Sequence, residues 1–422
     1  MKIAVIGSGI SGLSSAYYLS KKYKVDLFEQ NSQLGGHSYT YDIKEKEKIV
    51  PVDLGFIVFN ELTYSNLIKF FNELNVPFEK SDMSFSVSIK NSSVEYGGRG
   101  FGAIFANKMN LFNFKFLKMI REIISFYKVA PNLLNQDLKN ETLGKYLEKS
   151  NLSKYFVEYH IVPMVAAIWS MPFSKAKEKP LHIFLNFFVN HGLFRLKNRP
   201  QWYTVTNRSR AYVKKITEKI SGEIFKNCKV NKIIRNNDKV KILIGDKHMD
   251  YDHVVLASHA DQSLSILENP TKDEKNILKK FTYVPNVAYL HTDENLMPLR
   301  KRAWSSWNSI TKENTTCVTY WLNKLQNLKS SKNYFLTLNP VEEVDKDKST
   351  HSIQQSAKPE KDKKDKKDKK DKKSKKSDAK LEEEKVEEVK DESEKAESRK
   401  SKSSKKSSIS TFLAEGGDGG AA

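Results

Sequence analysis

The segment that decides the fold is KIAVIGSGISGL, which runs from Lys2 to Leu13. Its first five residues, Lys2–Ile6, are rich in β-branched side chains and predict a short strand that is buried on both faces. The strand leads directly into a G-x-G-x-x-G motif, whose glycines are Gly7, Gly9 and Gly12. Apolar residues recur at helical spacing after the motif, so we expect a helix to begin there.

Each glycine of the motif has a predicted physical role. Gly7 permits a tight turn, Gly9 lets the backbone approach a pyrophosphate, and Gly12 lets the helix pack closely against the strand. The start of the helix, with Ile10 and Ser11, would offer free N–H groups and a positive dipole end to phosphates. The motif therefore predicts a dinucleotide site.

An acidic residue stands at the position that such a site requires. The second predicted strand, Val25–Phe28, ends at Glu29, which lies 22 residues after Gly7. The carboxylate of Glu29 would accept hydrogen bonds from ribose hydroxyls, and its charge would repel a 2′-phosphate, which argues against NADP. FAD and NAD present the same ADP half to these residues, so the motif alone leaves both open.

The residues after Glu29 carry a resemblance to a known family. A short spacer leads to Gly35-Gly36-His37, and a D-x-G strand follows at Asp53-Leu54-Gly55. This pattern resembles the flavin-containing amine oxidase and phytoene-desaturase superfamily. Further segments resemble its bacterial branch of predicted NAD/FAD-dependent amine oxidoreductases: Gly55–Pro77, Ser81–Ser88, Pro163–Pro172, Asn190–Leu193, Arg199–Trp202, Val254–Leu264 and Ala303–Asn308.

The resemblance implies FAD as the cofactor and a set of residues that bind it. The Gly-Gly loop would wrap the pyrophosphate and ribitol, with His37 where many relatives carry Arg. Val230, in a strand Cys228–Ile234, would meet the adenine. Asn207-Arg208-Ser209 stands where relatives tend to carry a glycine pair. The implied FAD-binding residues are Gly7, Gly9, Ile10, Ser11, Gly12, Glu29, Gln30, Gly35, Gly36, His37 and Val230.

The implied fold class is α/β. A Rossmann-like FAD-binding domain of the glutathione-reductase type, in segments 1–60 and 205–265, would be interleaved with a mixed helical and β-sheet substrate domain, in segments 61–204 and 266–340. Relatives end with a glycine-containing segment and a helix that complete the flavin site. This chain continues after Pro340 with charged low-complexity sequence, and Gly416–Gly420 lacks a predicted strand before it. We therefore expect an open sheet edge and an incomplete flavin end.

Composition separates the chain into two parts. The 422 residues carry 72 Lys and Arg against 51 Asp and Glu, a formal net charge of +21. Residues 341–422 are nearly balanced, with 23 basic and 21 acidic side chains, and contain a single aromatic residue, Phe412. Such a segment cannot bury enough apolar surface to offset the entropy of ordering, so we predict a disordered tail, whose partner is unknown.

Several functional classes are disfavoured. Two cysteines, Cys228 and Cys317, and scattered histidines predict neither a disulfide framework nor a metal site. The chain has no apolar run of 18 residues, so we expect a cytoplasmic protein. Dispersed lysines without a recognition fold argue against specific nucleic-acid binding. Weak attraction to an anionic membrane surface stays open, through Lys115, Lys118 and Arg121 beside Phe114, Phe116 and Leu117.

The leading hypothesis is an FAD-dependent oxidoreductase that removes a hydride from a C–N or C–C bond of a small-molecule or lipid substrate. The alternatives are an NAD-dependent dehydrogenase and a catalytically inactive nucleotide-binding protein with an interaction tail. No catalytic acid or base is assigned, because flavin enzymes need little from the protein beyond positioning and electronic tuning. An aromatic group would line the cavity or pack as core: Trp304, Trp307, Tyr320 and Trp321.

Overall fold

Two separate parts of the chain contribute to one parallel sheet in the computed structural model, which describes residues 1–354 except Ser170, Asn237, Val284 and Asn314. Most of the predicted tail, with Phe412 and Gly416–Gly420, lies outside the described residues.

The strands are β1 (Lys2–Ile6), β2 (Lys24–Phe28), β3 (Thr40–Glu45), β4 (Lys48–Asp53), β5 (Phe59–Asn60), β6 (Phe78–Ser81), β7 (Phe85–Ile89), β8 (Glu95–Gly97), β9 (Trp202–Val205), β10 (Ile224–Phe225), β11 (Lys232–Arg235), β12 (Val240–Ile244), β13 (Lys247–Tyr251), β14 (His253–Leu256), β15 (Val287–His291), β16 (Trp307–Lys312), β17 (Thr315–Trp321), β18 (Phe335–Leu338) and β19 (Ser349–Gln354).

The helices connect these strands and form a separate helical region between β8 and β9. They are α1 (Ile10–Ser20), α2 (Ser65–Glu73), α3 (Phe101–Ile104), α4 (Phe114–Val129), α5 (Leu143–Lys149), α6 (Lys154–Phe156), α7 (Val162–Trp169), α8 (Phe173–Lys177), α9 (Leu181–Asn190), α10 (Ser209–Thr217), α11 (Ala260–Ile266), α12 (Lys272–Leu278) and α13 (Leu322–Leu325). A 3-10 helix, Lys108–Phe112, precedes α4, and a π-helical turn, Val157–Ile161, precedes α7. None of the described helices is both long and apolar enough to cross a membrane.

The parallel sheet has the strand order β10–β2–β1–β14. Its central strand, β1, is buried on both faces as its sequence predicts: Val5 packs into the core beneath α1, and Ala4 packs into the core on the opposite side. β1 and β2 precede residue 60, whereas β10 and β14 lie between residues 205 and 265. The sheet therefore joins the two segments that we expect to form the nucleotide-binding domain.

Strand β14 is an edge of this sheet in the part of the chain that the structure describes. Its residues Val254, Val255 and Leu256 are only half-buried. A cavity of about 590 Å³ lies beside the strand, and its apolar lining includes Ile233, Leu267 and Phe281.

The larger sheet has seven strands in the order β19–β15–β18–β17–β16–β7–β8. One of its faces packs against the helical region, where Val87 of β7 belongs to the same apolar core as helices α4, α7 and α9. Three smaller sheets complete the described fold: the hairpin β3–β4, the meander β11–β12–β13 and the sheet β5–β9–β6.

The domain boundary that we predict at Pro340 is wrong, because the fold continues to residue 354. Strand β19 pairs antiparallel with β15 at the edge of the seven-stranded sheet. His351 stacks on Tyr41 with ring centroids 4.3 Å apart, and Ile353 packs against the core formed by β4, β15 and β18. Lys348 lies 3.3 Å from a carboxylate oxygen of Asp293. Two inward-facing side chains suffice for such a strand, and the average composition of residues 341–422 concealed them.

Candidate dinucleotide-binding site

The turn between β1 and α1 has the backbone geometry that its glycines predict. Gly7 has a φ of +101°, and a Cβ there would lie 2.7 Å from the carbonyl oxygen of Ala257. A Cβ at Gly12 would lie 1.8 Å from the carbonyl oxygen of Gly7. Both contacts exclude a larger residue, so these two glycines bring α1 into close contact with the strands.

Gly9 differs from the other two glycines because it faces open space. A Cβ at Gly9 would meet nothing within 4 Å, and the neighbouring Ile10 and Ser11 are exposed. Gly9 is the N-cap of α1, and no side chain caps the N–H groups of the first turn. This helix end can therefore accept an anionic group close to the backbone.

The Gly-Gly loop lies directly against this helix end. Gly36 has a φ of +57°, and a Cβ there would lie 3.0 Å from the Cα of Gly9. Gly35 has a φ of +115°, where its Cβ would lie 2.6 Å from the carbonyl oxygen of Ser38. The loop is thus backed by protein on one side and open on the other. We call Gly9, the first turn of α1, and Gly35–Gly36 the cradle.

Glu29 lies at the end of β2, beside the cradle, and is almost fully buried. Its Oε2 accepts hydrogen bonds from the backbone N–H and the hydroxyl of Ser8, at 3.0 and 2.6 Å. Its Oε1 accepts one from the N–H of Asn31 at 3.0 Å. A carboxylate offers about four acceptor positions, so Glu29 retains capacity for a ligand hydroxyl.

Ser8 is a site residue that the sequence analysis missed. It is fully buried, and its hydroxyl and carbonyl oxygens both lie 3.1 Å from the N–H of Gly35, which donates to them. Ser8 therefore links Glu29 to the Gly-Gly loop. Its position between two motif glycines gave no signal in the sequence, because the motif admits any residue there.

The remaining predicted residues surround the cradle. Gln30 and His37 are exposed at its rim. The predicted strand Cys228–Ile234 is wrong in its bounds, because β11 begins at Lys232. The preceding residues instead run beside the end of β2, where the N–H of Cys228 donates to the carbonyl of Glu29 at 2.8 Å. Val230 is buried in the apolar core below this contact.

A buried polar ring lies behind the hairpin β3–β4, and its members are Asp53, Arg208, Ser209 and Gln326. The carboxylate of Asp53 accepts hydrogen bonds from the N–H and hydroxyl of Ser209, at 2.8 and 2.7 Å. The side-chain amide of Gln326 bonds to the backbone N–H and carbonyl of Asp53, each at 2.8 Å. Burial raises the pKa of the Asp53 carboxyl group.

Arg208 closes this ring from a backbone conformation that favours glycine. It has a φ of +67°, in the left-handed region that residues other than glycine rarely adopt. Its guanidinium donates to the carbonyl oxygens of Pro51 and Gln326, at 3.0 and 2.7 Å. Burial lowers the pKa of Arg208. The hydrogen bonds to two distant segments offset the backbone strain.

A row of aromatic rings leads from the cradle towards the helical region. It begins at Phe56, whose N–H donates to the carbonyl of His37, and most of its members are half-buried. Successive ring centroids are 4.0 to 6.4 Å apart. In order, the aromatic row is Phe56, Tyr64, Trp202, His191, Phe187 and Trp169.

The group Trp304, Trp307, Tyr320 and Trp321 divides into two packed pairs. Trp304 lies edge-on to Trp321 at 5.4 Å, and its indole N–H donates to the carbonyl of Pro298. Trp307 lies edge-on to Tyr320 at 4.7 Å. This second pair packs with Trp202, so it adjoins the aromatic row, whereas the first belongs to a separate core.

The helical region contains a buried histidine on the π-helical turn. The Nδ1 of His160 lies 2.8 Å from the Tyr96 hydroxyl, and its Nε2 lies 2.9 Å from the Tyr127 hydroxyl. Burial lowers the pKa of His160 to about 3. A neutral imidazole has one donor and one acceptor nitrogen, so it can satisfy both tyrosines. The described residues contain no cluster of three or more His, Cys, Asp or Glu suited to a metal.

Comparisons with known proteins identify the fold that carries the cradle. Residues 5–74 match the family model described as the NAD(P)-binding Rossmann-like domain. The match covers β1, α1, β2 and the Gly-Gly loop, so this part of the chain has a Rossmann-like fold. About 80% of the chain shares the fold of solved flavin amine oxidases, which confirms the resemblance at the level of fold.

Individual proteins are similar to this chain over different shares of its length. Cyclohexylamine oxidase from Brevibacterium oxydans IH-35A is 16% identical, with a TM-score of 0.58 over 80% of this chain and 74% of that one. A putrescine oxidase bound to putrescine is also 16% identical, with a TM-score of 0.57 over 81% and 76%. Prenylcysteine oxidase 1 of Rattus norvegicus is 28% identical over 194 residues, which are 39% of this chain and 37% of that protein.

Proposed function

We propose that this protein binds FAD, with the ADP half in the cradle, and acts as an oxidoreductase. The observation that carries the proposal is the contrast among the glycines: Gly7 and Gly12 are closed by protein, whereas Gly9 is open and faces the Gly-Gly loop. A pyrophosphate fits the uncapped N-terminus of α1, and a ribose fits beside the carboxylate of Glu29. The residues present therefore suit the ADP half of the cofactor.

FAD would supply two-electron chemistry. The two atoms of a substrate C–N or C–C single bond would lose a hydride and a proton, which leaves a double bond, and the electrons would pass from the flavin to oxygen or another acceptor. The chain's own contribution is to bind and orient. The N–H groups of α1 and the carboxylate of Glu29 position the nucleotide. The aromatic row, which starts beside the loop at His37, supports an apolar or aromatic small molecule or a lipid as substrate.

The replacement Gly9→Ala tests the proposal because it fills ligand space without touching protein. The wild-type protein should show the absorption bands of oxidised flavin as purified or after reconstitution with FAD. In Gly9→Ala, we expect an unchanged melting temperature and an FAD affinity that is lower by about tenfold or more, since the added methyl group displaces a close backbone–phosphate contact. Gly102→Ala is the matched control, since its Cβ would also meet nothing within 4 Å.

A parallel titration separates the proposed cofactor from NAD. The family model that matches residues 5–74 is described by NAD(P) binding, so NAD is the specific competitor. We expect FAD to quench tryptophan fluorescence at lower concentration than NAD, and NADP to bind most weakly because Glu29 repels a 2′-phosphate. Tighter binding of NAD would favour a dehydrogenase. A wild-type protein that binds none of the three would contradict the proposed site.

A further inference from the structure

Residues 99–121, which we call the docking segment, combine buried asparagines with several large exposed apolar side chains. Asn107 and Asn110 are buried, and their side-chain amides donate to the carbonyl of Ser93 at 2.9 and 3.4 Å. Asn113 caps α4 by accepting from the N–H of Phe116. These asparagines recur every three residues, which is the repeat of the 3-10 helix Lys108–Phe112. The asparagine side chains therefore face the protein.

Four large apolar side chains of the same segment face away from the protein. Phe101, Met109, Phe112 and Phe114 are 69%, 69%, 79% and 86% exposed. Isolated apolar residues are common on protein surfaces, but several large ones close together in sequence mark an interaction site. Phe116, which we expected at a membrane surface, is instead fully buried because it lies on the core-facing side of α4.

The charges of the docking segment are of one sign. It contains five basic residues, namely Arg99, Lys108, Lys115, Lys118 and Arg121, and no Asp or Glu. Lys108 and Lys115 are exposed and make no ion pair with any described residue. Two others have carboxylates nearby, with Arg99 at 3.0 Å from Asp82 and Lys118 at 3.9 Å from Glu122.

We propose that the docking segment binds the surface of an anionic lipid bilayer. The exposed phenylalanines and methionine would enter the boundary between head groups and acyl chains, while the lysines stay level with the head groups. Anionic lipid attracts these positive charges, whereas a second copy of the same face, which is also positive, would be repelled. The buried asparagines hold the short helix in place, so the apolar side chains are already exposed before binding. The inference does not depend on which cofactor the cradle takes.

The test measures sedimentation of the full-length protein with vesicles. We expect binding to vesicles of equal parts phosphatidylcholine and phosphatidylglycerol, and little to phosphatidylcholine alone. The double variant Phe112→Ser/Phe114→Ser should bind at least about tenfold more weakly. Lys108→Gln/Lys115→Gln should lose about fivefold per lysine at low salt, and less as salt screens the charges.

Matched variants separate this segment from the rest of the chain, because the lysine-rich tail is retained in all of them. Ile49→Ser/Leu299→Ser removes two exposed apolar side chains elsewhere, and Lys247→Gln/Lys272→Gln removes two exposed lysines. We expect wild-type binding from both. Equal losses in test and control variants, or equal binding to neutral vesicles, would overturn the proposal. So would a concentration-dependent dimer that the phenylalanine variant abolishes and anionic vesicles leave intact.

Discussion

The cradle and the helical region specify their structures by different means. In the cradle, backbone atoms approach one another so closely that only glycine fits, as at Gly7 and Gly12. In the helical region, side chains determine the arrangement, as where His160 joins Tyr96 and Tyr127. The first kind of constraint is set by backbone atoms, whatever side chains the neighbouring residues carry. The second depends on the chemical identity of side chains that are 33 and 64 positions apart, so we expect mutations to separate the two regions cleanly.

The largest effect should come from Gly12→Ala. The new methyl group would lie 1.8 Å from the carbonyl oxygen of Gly7, which is backbone and cannot rotate away. We expect a loss of about 4 kcal/mol or more in the free energy of unfolding, or no soluble protein. Urea denaturation measures this loss, with Gly102→Ala as the control variant. A Gly12→Ala protein as stable as this control would show that the cradle tolerates movement of α1.

His160→Phe breaks the corresponding constraint in the helical region. It removes a partner from the hydroxyls of Tyr96 and Tyr127. Tyr96 still donates to the carbonyl of Tyr159 at 3.0 Å, so the main cost is the Tyr127 hydroxyl, and an unpaired buried hydroxyl costs about 1 to 3 kcal/mol. We expect stability to fall by about that amount in urea denaturation, while the folded fraction keeps wild-type FAD affinity. A variant with normal stability and weakened FAD binding would contradict the separation of the two regions.

The same histidine predicts a pH dependence. The pKa of His160 is about 3 when folded and 6.5 as its ordinary value, so the unfolded chain takes up a proton first as pH falls. Its contribution to stability is complete above pH 6.5 and is lost progressively towards pH 3, by up to about 1.4 kcal/mol per pH unit. Between pH 7 and 5, wild type should therefore lose stability more steeply than His160→Phe. Parallel slopes for the two proteins would contradict the buried, neutral imidazole.

Truncation tests the corrected boundary with a smaller effect. Removing residues 358–422 retains β19 and should leave the melting temperature nearly unchanged. Removing residues 341–422 deletes β19 with Ile353 and the Lys348–Asp293 pair, and should cost about 2 kcal/mol. Calorimetry of the two proteins distinguishes them. Equal melting temperatures would mean that β19 contributes nothing to the sheet.

The smallest change expected is in Glu29→Gln. The amide keeps the shape of the carboxylate, but its oxygen is a weaker acceptor for ribose hydroxyls, and its NH2 group cannot accept from the N–H of Asn31. FAD affinity should therefore fall by about 1.5 kcal/mol, or roughly tenfold. Isothermal titration measures this, with the exposed Glu47→Gln as the control. Unchanged FAD affinity in Glu29→Gln would show that the ribose does not bind at Glu29.

The sequence predicted best where a single residue type is the only solution. Gly7 and Gly12 lie in the close backbone contacts that their positions predict, whereas the pyrophosphate contact of Gly9 stays a prediction. Strand β19 was missed because its partner lies about sixty residues earlier and only two of its side chains face inward. The buried polar ring was missed for the same reason, since polar residues alone give no sign of a partner across the chain. Phe116 shows that the spacing of apolar residues predicts the presence of a helix more readily than it predicts which face of that helix is buried.

The buried polar ring also limits how early the amino-terminal part of the chain can finish folding during synthesis. Asp53 and Gln326 are 273 positions apart, and β1 must wait similarly for β14, about 250 residues later. At typical synthesis rates of about 5 to 20 residues per second, roughly 14 to 55 s separate the emergence of Asp53 from that of Gln326. For most of that interval the nascent amino-terminal unit presents the unpaired edge of β1, together with the backbone N–H and carbonyl of Asp53, which later pair with Gln326. Its co-translational folding is therefore incomplete until most of the chain has left the ribosome, and this interval is when chaperones would find it.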